Sequence, residues 1–100
     1  MTSPVIYVVS DSVGETAELV TKAAASQFQH SNVSIRRFPF IESPDHIEEV
    51  ISLAKLNQAI IAYTLVRPVD REYMKKRTHE EGIFAYDIIG PLMDELENKY

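Results

Sequence analysis

The stretch VIYVVSDSVGETAELV, Val5 to Val20, decides the fold. Val5–Val9 is a short continuous apolar run rich in β-branched residues, which reads as a strand buried on both faces. The run stops at Ser10-Asp11-Ser12, turns through Gly14, and continues from Val13 to about Phe28 with Ala17, Val20, Ala24 and Phe28 at helical spacing. A strand handing over to a helix through a polar turn is the first half of a βαβ unit. The turn has two readings. Ser12-Val13-Gly14-Glu15 fits a capping box, with Ser at the cap and Glu three residues later, and needs no ligand. The same helix start also presents free N–H groups and a positive dipole end, which suit a phosphate or carboxylate. On that second reading the anion-binding candidates are Ser10, Asp11, Ser12, Gly14 and Thr16, with Asp11 opposing the anion by its own charge.

The remaining elements repeat the alternation. Val33–Phe38 is a second strand, and its Arg36-Arg37 pair and following Pro39 suit a sheet edge. Ser43-Pro44-Asp45 is a strong helix start, because Ser caps, Pro takes the first helical position and Asp meets the dipole. That helix should bury Ile47, Val50, Ile51 and Ala54. Ala59–Leu65 reads as a central strand, Asp70–Glu81 as a polar helix capped by Gly82, and Ile83–Ile89 as a fourth strand. Pro91–Tyr100 then begins a helix with Leu92, Leu96 and Tyr100 on one stripe.

Strict β-α alternation predicts a three-layer α/β/α fold with a parallel four-stranded sheet, flavodoxin- or Rossmann-like. The two apolar strands at 5–9 and 59–65 belong in the centre, giving the order 2-1-3-4. Ligands of such sheets bind beyond the carboxyl ends of the strands, where the order reverses. Here that point lies between the first and third strands, so Ser10, Asp11, Ser12 and Thr64, with Asp87, are expected at one edge.

Composition bounds the function. A chain of 100 residues, 45% hydrophobic and 25% charged, suits one soluble domain, 1–100. A net charge of -5 argues against general nucleic-acid binding. The cationic groups Arg36-Arg37, Arg67 with Arg71, and Lys75-Lys76-Arg77 read as solvated faces, as does the acidic run Asp94-Glu95-Glu97. With no cysteine there is no disulfide or thiolate metal site, and a cytoplasmic setting is compatible. No run approaches the ~20 apolar residues that span a bilayer. The N-terminus has no cationic region and is not read as a signal peptide. His30, His46 and His79 lack metal-ligand spacing, so no metal site is expected. Glycines stand only at 14, 82 and 90, and the G-x-x-x-x-G-K-[ST] and G-x-G-x-x-G patterns are both missing.

Flavodoxins hold a flavin phosphate in a Ser-x-Thr-Gly-x-Thr loop after their first strand, but here Val13 is an extra residue before Gly14. Receiver domains end their third strand in Asp, whereas this one ends Tyr63-Thr64-Leu65. A closer match comes from VSDSVGETAE, which resembles the N-terminal signature of the regulatory proteins of pyruvate, phosphate dikinase and phosphoenolpyruvate synthase. RRFPFI, IAYTLV and YDIIGPLMDELE resemble that family's second strand, third strand, and fourth strand with its helix, so the resemblance spans nearly all of the chain.

The resemblance implies a bifunctional serine/threonine kinase and phosphorylase. Such proteins use ADP to phosphorylate a threonine of the dikinase, and inorganic phosphate to remove it with release of pyrophosphate. It implies the dikinase or the synthase as partner, ADP as cofactor, and the cytoplasm as location. Family members are considerably longer, and their P-loop-type phosphate loop lies downstream of the segment matched here. The chain is therefore expected to be the N-terminal domain of such a protein and inactive alone, with catalytic residues that no position here matches. A flavodoxin-like phosphate- or flavin-binding module using Ser12, Gly14 and Thr16, or a non-catalytic interaction domain, are the alternatives. The oligomeric state is left open.

Overall fold

The computed structural model describes residues 3–28 and 32–100. His30 lies outside the described residues. Four strands, β1 (Val5–Ser10), β2 (Ser34–Phe38), β3 (Ile60–Thr64) and β4 (Ala85–Asp87), alternate with four helices. These are α1 (Glu15–Ala25), α2 (Pro44–Asn57), α3 (Pro68–Glu80) and α4 (Gly90–Lys99). The strands form one parallel sheet in the order β2-β1-β3-β4, so β1 and β3 are central as their apolar runs predict. Tyr7 stands opposite Arg36 on one side and Ile61 on the other.

That register divides the side chains between two unequal faces. Tyr7 and Val9 of β1 share one face with Ile61 and Tyr63 of β3. There they meet Ile47, Val50, Ile51 and Ala54 of α2 and Met74 of α3 in one buried cluster. All four α2 positions expected in the core are in it. Burying each such side chain fully is worth roughly 1.5–3 kcal/mol, so this face holds most of the apolar stabilisation. Tyr7 keeps its hydroxyl satisfied by accepting from Asn57 Nδ2 at 2.6 Å, and its ring lies 4.8 Å from that of Phe38. The opposite face is thinner. Val8, Ser10 and Thr64 lie under α1, which buries only Ala17 and Thr21. The helical stripe Ala17, Val20, Ala24, Phe28 is therefore only partly right. Val20 is left 46% exposed, and Phe28 falls beyond the helix end.

Helix ends follow local chemistry. Ser43 Oγ accepts from His46 N at 3.3 Å, with Pro44 first in α2, as the sequence predicts. Gly82 follows α3 with φ +69°, the left-handed cap expected of it. The start of α3 is earlier than the expected Asp70, because Pro68 takes the first position with its fixed φ. β4 shrinks from the expected 83–89 to three residues, having a ladder partner only on its β3 side. α2 and α3 are tied together across their surface. Arg77 Nε donates to Glu48 Oε2 at 2.7 Å, and Tyr73 donates its hydroxyl to the same oxygen at 2.7 Å.

Candidate functional site

Ser10 and Thr64 are ladder partners at the carboxyl ends of β1 and β3, and both are buried. Because the order reverses between these strands, the chains leaving them diverge to opposite faces and open a cleft. The cleft holds about 340 Å³. Ser10, Asp11, Ser12, Gly14, Thr16 and Thr64 all line it, so the six sequence candidates do converge on one place. Val66 and Ile89 close its far side.

The loop between β1 and α1 is braced. Ser12 N donates to Ser10 Oγ at 3.1 Å, and the two hydroxyl oxygens lie 3.2 Å apart. The amides of Phe40 and Ile41 donate to the carbonyls of Ser12 and Ser10, both at 2.9 Å, tying the segment after β2 to this loop. Asp11 Oδ2 accepts from Val66 N at 2.8 Å. That bond clamps the end of β1 to the exit of β3, which gives Asp11 a bracing role at the rim.

The expected capping box does not form. Gly14, at φ 92° and ψ 13°, is the residue before α1, and no side chain caps the helix. A left-handed residue there moves the helix start to Glu15. Ser12 is then two positions too far back to reach the first-turn amides and bonds to Ser10 instead. Among the described residues no acceptor is found for the amides of Gly14, Glu15 and Thr16. These are the orphan donors of a helix N-terminus.

Asp87 is not part of this cleft. Its register opposite Tyr63 turns it to the α2/α3 face. There Arg71 Nε donates to Asp87 Oδ2 at 3.2 Å, and the rest of the guanidinium makes a two-pronged contact with Asp94 at 3.1 and 2.9 Å. Asp87 Oδ1 accepts from Gly90 N at 2.7 Å, capping α4. The Asp94 carboxyl is held below its ordinary range by these Arg71 hydrogen bonds. Tyr63, buried beside Asp87, has its phenol pushed up to about 12, first by burial and then by that charge. This cluster escaped sequence reasoning because its members are 16 and 23 residues apart. Nor are the cationic groups simply solvated. Arg37 pairs with Glu18 of α1, Arg36 lies 4.7 Å over the Phe38 ring, and Arg77 holds Glu48. His46 Nδ1 accepts from Glu42 N at 3.2 Å.

The cleft offers hydroxyls and free amides. Among the described residues lining it there is no Lys, Arg or His, and two are carboxylates, Asp11 and Glu15. It therefore suits a small anion only where positive charge is supplied by another segment or a cation. It contains no cradle for a nucleotide diphosphate and no paired nucleophile and base. Among the described residues no group of His, Asp and Glu is placed to hold a metal. No described helix is long and apolar enough to cross a membrane.

A parallel sheet in the order β2-β1-β3-β4 with a polar cleft at its switch point defines a Rossmann-like α/β domain. Residues 6–100 match the kinase/pyrophosphorylase family, and the chain belongs to it. Two relatives are provisionally named pyruvate, phosphate dikinase regulatory proteins. The one from Geobacillus thermodenitrificans (strain NG80-2) is 53% identical over 100 residues, and that from Geobacillus sp. (strain WCH70) is 50% identical over the same length. Each match takes in 100% of this chain and 38% of the relative, so the chain spans well under half the length of these curated relatives.

Proposed function

We propose that this chain is the N-terminal domain of a bifunctional regulator of pyruvate, phosphate dikinase or phosphoenolpyruvate synthase, acting in the cytoplasm. The whole regulator would phosphorylate a target threonine with ADP, and remove that phosphate with inorganic phosphate, releasing pyrophosphate. The observation that carries the reading is the family match over residues 6–100, supported by the names of relatives at 50–53% identity.

The residues present do not fit ADP. Three glycines at 14, 82 and 90 build no phosphate loop, and no cation lines the cleft among the described residues. Phosphoryl transfer needs such a cradle with a Lys or Arg. ADP therefore belongs to another part of the regulator. What this domain contributes is the cleft, where Ser10, Ser12, Thr16 and Thr64 hydroxyls and the Gly14–Thr16 amides would bind one small anionic group. Asp11 would hold the cleft's rim through Val66. The amides are already fixed in place, so binding requires no rearrangement of the loop.

The test is an incubation with ADP, target enzyme and a phosphothreonine readout. The expected result is phosphorylation by the longer regulator and none by this 100-residue chain alone. Phosphothreonine formed by the chain alone would overturn the reading.

A further inference from the structure

The described residues leave one side of the molecule unfinished. On α4 only Gly90 is buried, while Leu92 and Leu96 are 67% and 54% exposed and Tyr100, the residue just past its end, 97%. They recur at every fourth position, so they share one stripe of the helix. The helix is held at its base by polar contacts, through Asp87 to Gly90 and Arg71 to Asp94. β4 beside it is an edge strand, and its register puts Tyr86 on the thin face with α1. Phe84 and Tyr86 there are 73% and 61% exposed. Single exposed apolar residues are ordinary, but here they gather on two consecutive elements, the edge strand and the helix that follows it.

We propose that this surface, the α4 stripe with Phe84 and Tyr86, is covered by the remainder of the regulator's own chain. The inference rests on the N-terminal-domain reading. Most of each relative lies outside the stretch matched here. α4 is the last described element, so a chain continuing past Tyr100 leaves from within the patch. A covalently attached segment reaches its surface at high effective concentration, which favours it over a separate molecule. The surface also lies beside the cleft, since Ile89 lines the cleft one residue before α4 begins. Covering it would bring the remainder of the chain, and any cation it carries, to the cleft that lacks one.

The test uses the longer regulator in a cysteine-free background with one cysteine introduced at a time, at Tyr86→Cys, Leu96→Cys or Leu56→Cys. Leu56 on α2 is 78% exposed and lies outside the patch. Maleimide labelling should be at least about ten-fold slower at positions 86 and 96 than at 56, at a rate independent of protein concentration. Equal rates at all three positions would overturn the inference, and so would protection that disappears on dilution, which would mean a second copy as the cover. Assaying each labelled sample for ADP-dependent phosphorylation separates the two claims. Activity with fast labelling overturns only the covered surface, and slow labelling without activity overturns only the kinase reading.

Discussion

Replacing Gly14 by Ala should destabilise the protein more than the same change at Gly82, and the difference is set by Arg37. Both glycines sit in the left-handed region, at φ +92° and +69°, which costs an L-residue roughly 1–2 kcal/mol. At Gly82 a new methyl group meets nothing within 4 Å, so the backbone term stands alone. At Gly14 the methyl carbon would lie 3.3 Å from Arg37 Cγ and 3.4 Å from Arg37 Cδ. That stem is fixed at its far end, because Arg37 Nε donates to Glu18 Oε2 at 2.6 Å. Yielding to the methyl disturbs this bond, and crowding of this kind adds about 1 kcal/mol. For a domain of this size 1 kcal/mol shifts Tm by about 4–8 °C. Gly82→Ala should thus lower Tm by roughly 4–16 °C, and Gly14→Ala by about 4–8 °C more. Thermal unfolding followed by far-UV circular dichroism measures both. Adding Arg37→Ala to Gly14→Ala should shrink the excess over Gly82→Ala. A Gly14→Ala protein as stable as the wild type would refute the left-handed start of α1, and with it the geometry of the cleft.

Two further predictions concern pH. The Tyr63 phenol ionises near 10 when unfolded and about 12 when folded, so the native state keeps its proton longer. Stability should therefore fall as pH rises from about 10 through 12, and Tyr63→Phe should remove that part of the fall in urea titrations at pH 9 and 11. Glu48 is held below its ordinary range, first by Arg77 and then by Tyr73. Its contribution is present above the unfolded carboxyl value of about 4.3 and is lost as pH drops through the lower folded one. Glu48→Gln should flatten the acid limb of a Tm-against-pH curve, and an unchanged limb would remove Glu48 from the account.

The sheet order was legible because it rests on strong local signals. Two runs of consecutive apolar residues had to be central, and Arg36-Arg37 before Pro39 had to be an edge. The cleft was legible for the same reason, since the switch point follows from the order. What failed needed backbone detail or distant partners. The Ser12 capping box matched in spelling, but the left-handed Gly14 starts the helix at Glu15 and leaves Ser12 two positions before the cap. Asp87 reads as a strand-end residue in sequence, yet a register of one position decides which face it takes. The Arg71 clasp joins residues on three elements, and no local pattern announces it. The crowding at Gly90 is partly non-local, since a methyl group there would run into Arg71 as well as the nearby Asp87. The stripe on α4 was visible in the sequence, but nothing in a single sequence says whether it is covered.

Whether the β1–α1 loop binds a small anionic group is decided by an amide chemical-shift titration of this protein. Phosphate and pyrophosphate are each added at constant ionic strength, to the wild type and to Thr16→Val. Saturable shifts are expected at Gly14, Glu15 and Thr16 in the wild type, with the amides of α2 unmoved. Affinity should clearly fall in Thr16→Val, whose folding is undisturbed because Thr16 is an exposed helix position. Because the cleft lacks its own cation, adding Mg²⁺ should tighten the wild-type titration. Amides at 14–16 that stay unmoved by either anion, with and without Mg²⁺, would contradict the claim.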